Sequence, residues 1–109
     1  MAEVAVESTA NQLLNWNLLL LLNSPNNPSG TVCKNLKEIA VVAKKYKLIV
    51  LSDEIYTDLT FGKNYDSISQ HYPEFTFITG GLSKWCGAGG WRLGFLAVPK
   101  QLKDFLKSL

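Results

Sequence analysis

The sequence is poor in the residues that build metal sites and disulfide frameworks. It has one histidine, His71, and two cysteines, Cys33 and Cys86, which stand far apart. No C-x-x-C pair and no second histidine accompany them, so we expect neither a metal site nor a disulfide framework. Cysteines that stay reduced and the lack of a recognisable secretion signal predict a cytoplasmic protein.

Clusters of positive charge and long apolar runs are also scarce. The eleven lysines and arginines leave a net charge of +2, and they form no basic run of five or more residues. This scattered charge does not predict a nucleic-acid partner. The most apolar stretch, Leu13–Leu22, has about half of the roughly 20 residues that a membrane helix needs. We therefore expect no membrane association.

The residues that are present predict one α/β domain. A chain of 109 residues that is 47% hydrophobic can bury one core. We expect a mostly parallel sheet with flanking helices, its early strands buried on both faces, and a last strand that is antiparallel because its connection is short. Asn35 and Glu38 resemble a capping box at the start of the first helix. Apolar runs and helical spacing predict strands at 17–22, 48–52, 75–79 and 93–98, and helices at 35–46 and 100–109.

Three motifs follow the first three predicted strands. They are NSPNNPSG (Asn23–Gly30), SDEIY (Ser52–Tyr56) and GGLSKWCGAGGWRLG (Gly80–Gly94). Ligands of open α/β sheets bind beyond the carboxyl ends of the strands. Lys84 in the third motif is a candidate for a Schiff base with an aldehyde, and the planar fork of Arg92, the only arginine, matches a phosphate. Each motif alone also fits a plain turn, a helix-capping carboxylate or a glycine-rich surface loop.

Together, in this order and at these separations, the motifs resemble the pyridoxal-phosphate-dependent aminotransferases of class I/II, which have fold type I. The resemblance runs from about Leu18 to Leu109. It implies that residues 17–109 are part of the large cofactor-binding domain, while residues 1–16 remain an unmatched N-terminal segment. It further implies amino-group transfer between an amino acid and a 2-oxo acid through a lysine Schiff base with pyridoxal 5′-phosphate, in a homodimer.

The resemblance also implies a role for each motif residue. Lys84 resembles the lysine that holds the cofactor covalently and then moves the proton of the substrate. Asp53 resembles the carboxylate that faces the pyridine nitrogen and keeps it protonated. Asn27 and Tyr56 resemble the amide and the phenol that hydrogen-bond the ring oxygen of the cofactor.

The phosphate end departs from the family pattern. Arg92 resembles the arginine that clamps the cofactor phosphate, helped by a nearby hydroxyl. Many members carry that hydroxyl on a serine three residues before the lysine, where this sequence has Gly81, so Ser83 is the nearest candidate. The family's upstream phosphate cradle, its ring-stacking aromatic and its arginine for the substrate carboxylate have no counterpart. The sequence therefore predicts a fragment.

Two alternatives remain open from the sequence. The motifs do not separate an aminotransferase from a pyridoxal-phosphate-dependent lyase of the same fold that acts on a sulfur-containing amino acid. A non-catalytic truncated remnant would also keep them. A truncated sheet leaves strand edges exposed, so we expect poor solubility or dependence on a partner. A cofactor-free Schiff-base lyase is disfavoured because it gives Asn27, Asp53 and Arg92 no joint role.

Overall fold

The computed structural model describes residues 18–61, 65–103 and 107. The strands are β1 (Leu19–Asn23), β2 (Ile49–Asp53), β3 (Thr76–Gly81) and β4 (Gly94–Ala97), and helix α1 (Leu36–Lys45) connects β1 to β2. The predicted strands and first helix are confirmed, with bounds shifted by a residue or two. The second predicted helix begins with a 3₁₀ turn at Lys100–Leu102. Residues 1–17, 62–64, 104–106 and 108–109 lie outside the described ranges, so the predicted domain boundary at residues 16 and 17 remains a prediction.

The four strands form one sheet in the order β1-β2-β3-β4. Strands β1, β2 and β3 are parallel, and β4 is antiparallel to β3. Helix α1 supplies the crossover that a parallel pair requires, whereas β3 and β4 are joined by a loop with a single 3₁₀ turn. The predicted mostly parallel α/β architecture is confirmed.

In the described ranges, one face of the sheet is covered more fully than the other. The core lies between that face and α1, and it consists of Leu36, Ala40, Ala43, Val50, Ile68 and Tyr72. The helical residues among them are spaced so that one stripe of α1 faces the sheet. Side chains alternate along a strand, so Leu19 and Leu21 point to the other face, where they are 63% and 65% exposed. The prediction that β1 is buried on both faces is therefore wrong for the described part of the chain.

The two ends of α1 are formed by backbone geometry and not by a side-chain cap. Asn35 occupies the N-cap position, but its side chain makes no capping hydrogen bond, so the predicted capping box is wrong. At the other end, Lys47 has φ of 50°. The Leu48 amide donates to the Ala43 carbonyl at 2.8 Å, and the Lys47 amide donates to Lys44 at 3.3 Å. This pair of bonds is the Schellman pattern, which satisfies the last carbonyls of the helix.

The described ranges contain no helix with the length and apolarity to cross a membrane. They also contain no group of three or more His, Cys, Asp or Glu side chains arranged to hold a metal ion.

Candidate active site

The carboxyl ends of β1, β2 and β3 bring the three motifs to one edge of the sheet. The Ser24 amide donates to the Asp53 carbonyl at 3.3 Å, and the Glu54 amide donates to the Thr79 carbonyl at 2.9 Å. These bonds continue the parallel ladder just past the strands, which holds the first residues of each loop against its neighbour.

The loop after β1 is compact and presents Asn27 outward. The Asn26 amide donates to the Thr31 carbonyl at 3.0 Å, and the Gly30 amide donates to the Asn26 carbonyl at 2.8 Å. Gly30 has φ of 67°, a conformation that favours glycine. The peptide bonds before Pro25 and Pro28 are cis. At the tip, Asn27 Nδ2 donates to Tyr56 Oη at 3.1 Å.

The third motif reaches the same point through Lys84. Its Nζ lies 5.6 Å from the centre of the Tyr56 ring, within the range of a cation–π interaction. The Lys84 side chain is exposed, whereas that of Tyr56 is half-buried. Asn27, Tyr56 and Lys84 therefore form a continuous set of contacts drawn from three separate motifs.

The Asp53 carboxylate is held by three donors. Asn23 Nδ2 donates to Oδ2 at 3.0 Å. Thr79 Oγ1 and the Ile55 amide donate to Oδ1 at 3.2 and 3.4 Å. Asn23 is itself fixed, since its Oδ1 accepts a hydrogen bond from Asn26 Nδ2 at 2.7 Å. Sequence reasoning missed Asn23 and Thr79 as site residues, although each stands at or near the end of its strand, as Asp53 does.

The side chains of the predicted phosphate residues make no hydrogen bond or ion pair with these groups. Arg92 is exposed and has φ of 54°. Its guanidinium makes no hydrogen bond or ion pair with any described residue, and the Ser83 hydroxyl likewise makes none. The absent serine at position 81 has a steric explanation, because a Cβ on Gly81 would lie 2.8 Å from the Leu93 carbonyl oxygen.

Glu54 and Tyr65, which were not predicted as site residues, hydrogen-bond to residues of the first two motifs. Glu54 Oε1 accepts hydrogen bonds from Ser52 Oγ at 3.0 Å and from Ser67 Oγ at 2.6 Å. Tyr65 Oη donates to the Ser24 carbonyl at 2.8 Å. Burial, followed by the negative charge of Glu54, raises the pKa of Tyr65. Its phenol therefore keeps the proton that it donates to the first loop.

A cavity of about 900 Å³ adjoins the contact between Asn27 and Tyr56. Its lining continues along the first loop and through residues 59–61 and 65–66, and its aromatic members are Tyr56, Phe61 and Tyr65. Neither Asp53 nor Lys84 lines it. The candidate catalytic groups therefore lie beside this cavity rather than within it.

Comparison with known proteins gives a consistent family. A family model described as aminotransferase class I and II matches residues 4–109, a range that begins inside the segment 1–16. An aspartate aminotransferase of Pinus pinaster is 46% identical over 89 residues, which are 76% of this chain and 18% of that protein. Aromatic-amino-acid aminotransferase 2 of Thermococcus litoralis is 44% identical over 90 residues, which are 78% of this chain and 23% of that protein.

Solved structures share the fold. A double mutant of the Thermus thermophilus aspartate aminotransferase superimposes with a TM-score of 0.73 at 32% identity, covering 84% of this chain and 25% of that chain. The chain thus spans about a quarter or less of the length of the relatives that it matches.

Proposed function

Because the chain belongs to the aminotransferase class I and II family, we propose that it serves amino-group transfer between an amino acid and a 2-oxo acid, with Lys84 as the covalent attachment point of pyridoxal 5′-phosphate. The family generally depends on this cofactor. One observation carries the proposal for this chain: Asn27 hydrogen-bonds Tyr56, and Lys84 lies over the ring of that same tyrosine.

The donor set of the site fits the cofactor group by group. Lys84 offers an amine for an aldehyde, and Asp53 offers a carboxylate for a protonated pyridine nitrogen. The amide of Asn27 and the phenol of Tyr56 suit a ring oxygen. Arg92 offers a guanidinium for a phosphate, and its hydrogen-bonding groups are free of any described partner.

Pyridoxal phosphate, when bound, supplies an electron sink for the negative charge left on the α carbon of the substrate. Lys84 Nζ, once a substrate amine has displaced it from the cofactor, would be free to move the proton of the substrate, so one side chain would act as attachment point and then as general acid and base. The cation–π contact with the Tyr56 ring would hold Nζ close to this tyrosine, which accepts the hydrogen bond from Asn27.

Asp53 and the Asn27–Tyr56 pair would orient the cofactor. Asp53 would hold a proton on the ring nitrogen by charge attraction, which a half-buried carboxylate exerts more strongly than one in bulk water. The hydrogen bond between Asn27 and Tyr56 fixes both side chains before any ligand arrives, which reduces the ordering cost of binding.

The substrate class is proposed no more narrowly than an amino acid and a 2-oxo acid. The names of the relatives differ, since two are aspartate aminotransferases and one is an aromatic-amino-acid aminotransferase. For the whole protein we also propose a homodimer, as the family resemblance implies. Two free cysteines, Cys33 and Cys86, support a cytoplasmic location.

The test is covalent capture of the cofactor by the chain. Pyridoxal phosphate is added, the absorption spectrum is recorded, borohydride is applied, and the labelled peptide is found by mass spectrometry. We expect a borohydride-stable adduct at Lys84 that Lys84→Ala lacks. Lys37→Ala, which removes an exposed lysine from α1, is the matched control and should keep the adduct.

Labelling spread evenly over exposed lysines, unchanged in Lys84→Ala, would refute the attachment role and favour a remnant without catalysis. With the whole protein, product analysis separates the other alternative: a new amino acid and a 2-oxo acid indicate transfer, whereas pyruvate and ammonia indicate a lyase.

A further inference from the structure

Three polar residues from three strands lie on one row across the sheet. The parallel register pairs Asn23 with Asp53 and Asp53 with Thr79. Since side chains in register point to the same face, all three lie on the face of the sheet that α1 does not cover. The row crosses the sheet at the edge where the three motifs meet.

Within this row the outer residues both donate to the central one. Asn23 reaches one carboxylate oxygen of Asp53 at 3.0 Å, and Thr79 reaches the other at 3.2 Å from the opposite side. A carboxylate gripped at both oxygens from its two sides cannot rotate without breaking one of these bonds. The Asn23 side chain is itself held in place, because Asn26 Nδ2 donates a hydrogen bond to Asn23 Oδ1 at 2.7 Å.

We propose that Asn23 and Thr79 are positioning residues that hold the Asp53 carboxylate in the orientation that receives the ring nitrogen of the cofactor. This inference rests on the proposed function, because it needs Asp53 to face that nitrogen. The physical basis is preorganisation: ordering a side chain on binding lowers affinity, and here the folded sheet already holds the Asp53 side chain in place.

A purely structural role makes a different prediction, and a pair of cofactors separates the two. 1-Deazapyridoxal phosphate has a carbon in place of the ring nitrogen but keeps the aldehyde, the ring oxygen and the phosphate. Loss of orientation at Asp53 affects only the cofactor that has the nitrogen. General loosening of the site affects both cofactors alike.

The experiment measures dissociation constants of both cofactors for the chain and its variants. Asn23→Ala and Thr79→Val each remove one donor, while Thr79→Ser keeps the hydroxyl and should restore binding. Thr60→Val is the matched control, since it also removes a threonine hydroxyl that makes a hydrogen bond, at 2.7 Å to the Thr57 carbonyl, away from Asp53. We expect Asn23→Ala and Thr79→Val to weaken pyridoxal phosphate binding about two- to tenfold and to leave the deaza analogue unaffected.

Equal losses for both cofactors, or no loss for either, would overturn the inference. Asp53→Ala separates this failure from that of the proposed function. If Asp53→Ala weakens only pyridoxal phosphate while Asn23→Ala does not discriminate, the role of Asp53 stands and the positioning role falls. If Asp53→Ala does not discriminate either, both fall.

A second measurement needs no cofactor. Three-bond NMR couplings report the χ1 rotamer of Asp53 in the free chain, and this torsion determines where the carboxyl group lies. We expect one rotamer in the wild type and in Thr79→Ser, and averaged rotamers in Asn23→Ala and Thr79→Val. A single unchanged rotamer in all four proteins would contradict the proposal, whatever the binding data show.

Discussion

Tyr56 yields the sharpest prediction, because single substitutions separate its hydrogen bond with Asn27 from its cation–π interaction with Lys84. Tyr56→Phe removes the oxygen that accepts from Asn27 at 3.1 Å but keeps the ring that faces Lys84. Tyr56→Leu removes both. The two variants therefore report the hydrogen bond and the cation–π interaction separately.

The magnitudes follow from the exposure of the partners. A neutral hydrogen bond contributes about 0.5–1.5 kcal/mol, and the exposed position of Asn27 favours the lower half of that range. An exposed cation–π pair contributes about 0.5–1 kcal/mol. We therefore expect a coupling free energy of about 0.5–1 kcal/mol between Asn27→Ala and Tyr56→Phe, and about the same between Lys84→Ala and Tyr56→Leu.

The assay is urea unfolding followed by circular dichroism, run as two double-mutant cycles without cofactor. Asn27→Ala combined with Tyr46→Phe is the control, since Tyr46 lies at the end of α1 and its substitution should be additive. A coupling below about 0.3 kcal/mol, which is the usual error of additivity, would refute the hydrogen bond as a persistent contact in solution. It would also remove the observation on which the proposed function rests.

Three other perturbations have defined outcomes. Burial, with a smaller effect of Glu74, raises the pKa of Tyr72 to about 12 from 10.0, so the stability that this phenol contributes is complete below pH 10 and is lost as the pH rises through 12. The free energy of unfolding should fall by about 2–3 kcal/mol over this range in the wild type but not in Tyr72→Phe, and the same fall in both proteins would contradict the assignment. Lys47→Gly should raise the unfolding free energy by about 1 kcal/mol, because glycine adopts a φ of 50° without a Cβ clash, and a decrease on thermal or urea unfolding would count against the helix-end assignment. Arg92→Lys should weaken pyridoxal phosphate binding about tenfold through loss of the bidentate fork but should leave pyridoxal, which has no phosphate, unchanged; equal effects on both would exclude the phosphate role.

Local pattern was sufficient for most of the fold. The four strands and α1 lie close to their predicted bounds because apolar runs and helical spacing are properties of neighbouring residues. The antiparallel β4 followed from the shortness of the loop before it. The burial of β1 did not follow, because the sequence of a strand does not state whether a layer covers each face.

The sequence by itself determined the family, the motifs and the candidates Asn27, Asp53, Tyr56 and Lys84, since these depend on residue type and order. Only the tertiary structure decided which of them touch. It joined Asn27 to Tyr56 and Lys84 to the same ring, and it gave the Arg92 guanidinium and the Ser83 hydroxyl no hydrogen bond or ion pair with them.

The row of Asn23, Asp53 and Thr79 is the clearest case of what tertiary structure added. The three residues are separated by long stretches of chain, and a shift of one residue in strand pairing would turn a side chain to the opposite face. Register is set by backbone hydrogen bonds and by packing of α1 on the sheet, which are long-range interactions. The sequence was therefore sufficient to identify Asp53 as a candidate, whereas the register of the sheet determined that Asn23 and Thr79 donate hydrogen bonds to it.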